Sequence, residues 1–189
     1  MNKKIGLILV ALLAITSLNA EVKKTLYKNG KVKFEKTYEH GKLNGKARVY
    51  YKSGRLKTKT YFVNGKVDGV TYGYYENGRL KAKIPMSKGK IDGTQKEFYD
   101  NAQLKSVSFY KMDKLVGNKK VYYPNGNMKA KLHFDDNGNF YGTQKEYYSN
   151  GNMKYRVSME NGKAKKGRIY ELDGESRKMN EGDFEELGF

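Results

Sequence analysis

Residues 93–101 read GTQKEFYDN, and residues 142–150 read GTQKEYYSN. Working outward from the end of each phrase, a tetrad of the form Tyr-x-Asn/Ser-Gly begins at Tyr27 (YKNG), Tyr51 (YKSG), Tyr75 (YENG), Tyr99 (YDNA), Tyr123 (YPNG) and Tyr148 (YSNG), in steps of 24, 24, 24, 24 and 25 residues. A second glycine motif lies between the tetrads: GKLNG at Gly41, GKVDG at Gly65, GKIDG at Gly89, DKLVG at Asp113, GNFYG at Gly138 and GKAKKG at Gly162. The doubled phrase is one unit seen again two units later, and the chain is an array.

Within a unit the pattern has period two. The second position after each tetrad is Val32, Leu56, Leu80, Leu104, Met128 or Met153, and the eighth is Tyr38, Phe62, Met86, Tyr110, Phe134 or Met159. These share parity, so one strand face is apolar; the third position, Lys33, Lys57, Lys81, Lys105, Lys129 and Lys154, falls on the other. Asn-Gly at 29, 64, 77, 125, 150 and 161 predicts type I′ turns with both central residues at positive φ. The fold class is therefore all-β: an elongated, single-layer antiparallel meander of stacked hairpins, six units of about 24 residues and roughly a dozen strands. The doublets Tyr50-Tyr51, Tyr74-Tyr75, Phe98-Tyr99, Tyr122-Tyr123 and Tyr147-Tyr148 send one aromatic to each face and build two ladders. Pro124 fits a tetrad turn, whereas Pro85 predicts a local break or bulge in the third unit.

At these residues the chain resembles the MORN-repeat variant family, whose units read Tyr-Tyr-x-Asn-Gly-x-Leu-Lys followed by Gly-Lys-x-x-Gly. The resemblance covers about residues 27–170. It implies stacked β-hairpins in a twisted sheet. Some members are described as YwqK-type antitoxin or immunity components, and related MORN modules are linked to phospholipids and protein scaffolding. The chain departs from the pattern at Ala102, at Asp113 in place of a turn glycine, at an extra residue near Asn137, and in a shortened sixth unit.

A mean hydropathy of −0.87 beside 17 Tyr and 8 Phe describes a folded but thinly cored chain. Cysteine is absent, so no disulfide staples the fold and no thiol serves as nucleophile or ligand. Lys3 and Lys4, the apolar run from Ile5 to Ile15, and a small residue at Ala20 read as a secretory signal peptide over residues 1–20, with the mature chain starting at Glu21. That run is shorter than the ~20 residues a bilayer span needs, and no cysteine follows it to take a lipid. Residues 21–170, the repeat domain, carry 34 basic against 13 acidic residues; residues 171–189 carry two against seven. Beyond Tyr170 the period is expected to fail. The acidic segment is then either a frayed tail or a cap, with Phe184, Leu187 and Phe189, laid along the basic face at the last hairpin.

Chemistry is sparse. His40 and His133 are the only histidines and sit in different units, without a nucleophile or paired-ligand spacing. GKLNGK (Gly41–Lys46) and GKAKKGR (Gly162–Arg168) miss the phosphate-loop pattern, and Asp135-Asp136-Asn137-Gly138 lacks the other ligands of a calcium loop. No catalytic, cofactor or metal site is expected, and the chain reads as a non-enzyme. Two binding features stand out. The lysine column Lys33, Lys57, Lys81, Lys105, Lys129, Lys154 recurs every second strand, ~10 Å apart, with Arg48, Lys96, Lys120 and Lys145 on the returning strands. It suits anionic phospholipid or acidic glycan, export making nucleic acid the weakest partner, and its bland counterpart is a solvated, edge-protecting face. The tyrosines Tyr51, Tyr75, Tyr99, Tyr123 and Tyr148 offer a protein-interaction face, or serve packing alone. The leading expectation is an exported, periplasmic or secreted interaction module at the cell envelope, with an antitoxin or immunity role where the resemblance points. The alternative is a peripheral anion binder working through the lysine stripe.

Overall fold

The computed structural model describes residues 20–189; the export segment expected over residues 1–20 lies outside these but for Ala20. The chain crosses one sheet as β1 (Ala20–Leu26), β2 (Val32–Glu39), β3 (Lys42–Tyr50), β4 (Leu56–Val63), β5 (Lys66–Val67), β6 (Gly69–Tyr74), β7 (Leu80–Ser87) and β8 (Lys90–Ile91). It continues through β9 (Gly93–Phe98), β10 (Leu104–Lys111), β11 (Lys114–Tyr122), β12 (Met128–Phe134), β13 (Gly142–Tyr147), β14 (Met153–Glu160), β15 (Lys163–Tyr170) and β16 (Ser176–Lys178) to a short helix, α1 (Glu181–Glu186). Strand follows strand in sequence order, all neighbours antiparallel, with the two-residue β5 and β8 pairing β4 and β7 off the main path. This is the expected open meander of hairpins in a single layer.

Alternation explains the strands. In β4, Leu56, Thr58, Thr60 and Phe62 are half-buried while Lys57, Lys59, Tyr61 and Val63 are exposed. One layer buries little: among the described residues the buried apolar set is Ala47, Val116, Ala130, Tyr155, Val157 and Met159. We call the face of Thr58 and Val157 the inner face, and that of Lys59 and Arg156 the outer.

The two sheet edges use different turns, which corrects the uniform type I′ expectation. At Asn64-Gly65 and Asn161-Gly162 both residues have positive φ, as a type I′ turn requires; His40-Gly41, Lys88-Gly89 and Met112-Asp113 do the same without asparagine. At Asn29, Asn77, Asn125 and Asn150 only the following glycine is left-handed. There the tetrad closes a longer loop: Tyr51 N–H donates to Arg55 O at 2.8 Å and Gly54 N–H to Tyr51 O at 2.9 Å. The asparagine caps it instead, Asn77 Oδ1 accepting from Arg79 N at 2.9 Å. Ala102 takes the glycine place at φ 71° and keeps both bonds, Tyr99 N to Gln103 O at 2.8 Å and Ala102 N to Tyr99 O at 2.9 Å. The departures in sequence leave the repeat regular. Even the extra residue near Asn137 only exchanges one turn for the other: Asp135 N–H donates to Asn139 O and Gly138 N–H to Asp135 O, the tetrad pattern at the opposite edge.

Pro85 does not break its own strand. β7 runs unbroken through it, paired to Val70, and the interruption is in the next strand, between β8 and β9, where Asp92 N–H reaches back to Pro85 O at 3.1 Å. Asp68 N–H makes the same bond to Tyr61 O at 3.0 Å, so the bulge belongs to the repeat and proline merely occupies a site that tolerates it.

The period does not stop at Tyr170. Glu171-Leu172-Asp173-Gly174 closes as a seventh tetrad, Glu171 N–H to Glu175 O at 2.8 Å and Gly174 N–H to Glu171 O at 3.2 Å, and returns as β16. Backbone groups make this turn, so glutamate replaces tyrosine in it. Asn180 then starts α1 through a capping box with Asp183. Met179, Phe184, Leu187 and Phe189 pack with Phe140 on Tyr155, Val157 and Met159. The acidic segment thus lies on the inner face of the last strands and leaves the basic outer face uncovered before them.

Candidate binding surface

Registers show what the third-position lysine is. Val49 pairs Thr58 and Tyr50 pairs Leu56, so Lys57 is left over as the extra residue of a bulge. Lys33, Lys81, Lys105, Lys129 and Lys154 are skipped in the same way. A bulge re-aims a side chain. Here the ammonium swings over the ring of the tetrad tyrosine, at 5.8 Å for Lys33 on Tyr27, 5.4 Å for Lys57 on Tyr51, 5.5 Å for Lys81 on Tyr75, 5.9 Å for Lys105 on Tyr99 and 5.7 Å for Lys129 on Tyr123. Lys154 departs and pairs with Glu146 at 3.3 Å. The lysine column and the tyrosine column, separate candidates in the sequence, are one motif.

The tyrosines are also tied into the fold. Each hydroxyl donates to the carbonyl of the aromatic that precedes the next tetrad: Tyr51 to Tyr74 at 2.7 Å, Tyr75 to Phe98 at 2.8 Å, Tyr99 to Tyr122 at 2.7 Å, Tyr123 to Tyr147 at 2.9 Å and Tyr148 to Tyr170 at 3.1 Å. Asparagine side chains run beside them, Asn125 Nδ2 to Ser149 O at 2.8 Å. Both link one unit to the next along the tetrad edge. Tyr99→Phe is expected to lower unfolding free energy by ~1 kcal/mol, read by urea denaturation, and to leave ligand binding unchanged.

Following the registers across the middle of the outer face shows a second row, one residue per strand. It runs Lys24, Glu35, Arg48, Lys59, Tyr72, Lys83, Lys96, Val107, Lys120, Lys131, Lys145, Arg156, Arg168 and Lys178, each directly opposite the next. Sequence reading had Arg48, Lys96, Lys120 and Lys145 as auxiliaries; it missed their partners, because which residues face each other depends on the bulges. Arg48 is neutralised by Glu35 at 2.5 Å. His133 neighbours the row, its pKa lowered by burial first and then by Lys131 and Lys145.

Beside the row the outer face carries Tyr61 and Phe109, 45% and 44% exposed, and Tyr141, 61% exposed, stands just before β13. Asp135 is occupied by its own turn, accepting from Asn137 N at 2.9 Å and Asn139 N at 2.8 Å, which hold its carboxyl below the usual range.

A family model described as MORN repeat variant matches the chain six times, over residues 22–40, 43–64, 67–88, 91–112, 115–136 and 140–161. The chain belongs to that family. No curated protein matches it. Each MORN match from residue 43 on is centred on a tetrad hairpin and closes near the opposite turn, while the seventh hairpin and α1 lie beyond the last match. MORN repeats are in general modules of protein or lipid interaction and typically non-catalytic. The family match carries no antitoxin assignment.

Proposed function

We propose that this MORN-repeat chain is a non-enzymatic binding scaffold, exported to the cell envelope, whose working surface is the basic outer face and whose partner is anionic. The observation that carries the reading is the central row of cations on the outer face, which the C-terminal cap meets only at the last strands, where Met179 and Phe184 border the groove of Arg156, Arg168 and Lys178. The tetrad lysines and tyrosines stand apart from this row, along one edge of the sheet, where each lysine from Lys33 to Lys129 is engaged by its own tyrosine ring. Attraction of this kind is screened by salt.

A second reading, a protein partner of the immunity or antitoxin type, rests on the exposed Tyr61 and Phe109 beside the row. Purified residues 21–189 incubated with an envelope fraction and washed at rising salt separate the two. Release by ~0.5 M salt, where the Debye length falls well below 10 Å, together with at least tenfold weaker retention of Lys83→Glu/Lys96→Glu/Lys131→Glu, is the expected result. A single polypeptide that stays bound at high salt and is lost with Tyr61→Ser/Phe109→Ser would give the protein reading instead.

A further inference from the structure

The cation row is uneven. Its first half is interrupted by Glu35, Tyr72 and Val107, but from β11 to β16 it is unbroken: Lys120, Lys131, Lys145, Arg156, Arg168 and Lys178 stand directly opposite one another on six successive strands. Like charges directly opposite on a sheet are destabilising, and a surface that needs only solubility mixes both signs. No carboxylate relieves these six: the ion pairs among the described residues are Lys23–Glu21, Arg48–Glu35, Lys154–Glu146, Lys165–Glu160 and Arg177–Asp183. Arg168 spends one N–H on Ser176 Oγ, at 2.9 Å. At the β16 end the row runs into a groove of ≈ 670 Å³ lined by Arg156, Ser158, Lys166, Arg168 and Lys178, with Met179 and Phe184 of the C-terminal cap also in its wall and no acidic residue.

We propose that this half of the outer face is a binding site for a linear acidic polysaccharide, laid across the strands along Lys120, Lys131, Lys145, Arg156, Arg168 and Lys178 with one end in the terminal groove. This rests on the basic-face reading and names its ligand class. Three physical points select the polymer. The cations repeat at the strand spacing of ~4.8 Å, close to one acidic group per sugar along an extended uronic acid chain, and the row is about 24 Å long. A sheet twists by ~20–25° per strand, so over five steps the row winds through ~100–125° about its own axis. A flexible chain follows such a path, whereas a flat bilayer meets only two or three of the strands at once. Single-stranded nucleic acid is held by stacking its bases on aromatic side chains as well as by charge, and none of these six positions is aromatic.

The test is titration of residues 21–189 with oligogalacturonates of increasing length, alongside neutral dextran, phosphatidylglycerol vesicles and oligo-dT. Affinity is expected to rise with length to about six sugars and then level off, one sugar per strand step. Lys131→Gln/Lys145→Gln/Arg168→Gln should weaken the hexamer at least tenfold with an unchanged or higher Tm, since the repulsion is relieved. Lys57→Gln/Lys81→Gln/Lys105→Gln, the same change in net charge, should weaken it less than threefold. Equal losses in the two triple variants, no length dependence, or oligo-dT bound as tightly would overturn the site. Vesicle binding retained without oligogalacturonate binding would overturn this inference and leave the basic-face reading standing; loss of every salt-sensitive interaction with the envelope would remove both.

Discussion

Leucine at Gln144 is expected to lower the unfolding free energy by about 3 kcal/mol, while leucine at Gln95, the same letter of the same phrase, changes it by less than ~0.5 kcal/mol. Gln144 is fully buried, and its carboxamide is fully used: Oε1 accepts from His133 N at 2.8 Å, and Nε2 donates to His133 O at 3.1 Å and Tyr141 O at 2.9 Å. The ladder between β12 and β13 has two pairs, Ala130 with Glu146 and Lys131 with Lys145, the same length as those between β4 and β6 and between β7 and β9, where Gln95 stands. What differs beside Gln144 is the turn at Asp135, and the carboxamide bonds the backbone of His133 and Tyr141 that flank it. Leucine fills the volume but leaves His133 N–H without its acceptor, so the loss is polar, not a cavity. Alanine adds the cavity and should cost ~4 kcal/mol. Gln95 is half-buried and makes one long contact, Nε2 to Glu97 Oε1 at 3.4 Å. Urea denaturation of the two leucine variants decides; equal losses would mean that the repeat, not the altered turn, sets the role of this glutamine.

That contrast shows where sequence reading works. Period and parity come straight from Leu56, Thr58 and Phe62 alternating with Lys57 and Lys59, because burial on one face of a strand selects residue type at every second position. Two-residue and four-residue turns both contain Asn-Gly, however, and differ in whether the residue two before asparagine closes the loop through its own N–H, as Tyr75 does; Asn64 and Asn77 look alike in the chain and behave differently. The lysine column was legible as a column. Its geometry was not, since a bulge is an offset between two strands and neither strand shows it alone. The same offset hides the central row, whose members lie at unlike distances from their tetrads on outgoing and returning strands. Glu171 escaped notice because a motif defined by tyrosine overlooks a turn made by backbone groups.

Truncation after Lys178 is expected to remove ~3–5 kcal/mol of stability and to increase binding of an apolar dye several-fold, without strengthening anion binding. Val157 is 0% exposed, Met159 3% and Tyr155 7%, and their cover is Met179, Phe184, Leu187 and Phe189, with Phe189 meeting Tyr155 edge-on at 6.0 Å between centroids. Uncovering three such side chains costs roughly 1.5–3 kcal/mol each, offset in part by the ordering entropy the lost segment no longer surrenders. The cap is latched by Arg177, whose guanidinium donates to both carboxylate oxygens of Asp183 at 2.6 and 2.7 Å and holds its pKa down to about 2. A depressed carboxyl stabilises the fold above its unfolded pKa of ~3.9 and loses that contribution as pH falls toward 2, so dye binding by the full chain should rise across that window. Asp183→Asn should bring the exposed state on at neutral pH and flatten the acid response. Anion binding supplies the decisive control, because the acidic segment lies on the inner face and the cation row on the outer: an affinity several-fold higher after truncation would mean that in solution the segment lies along the basic face after all, as a competitor for its ligand.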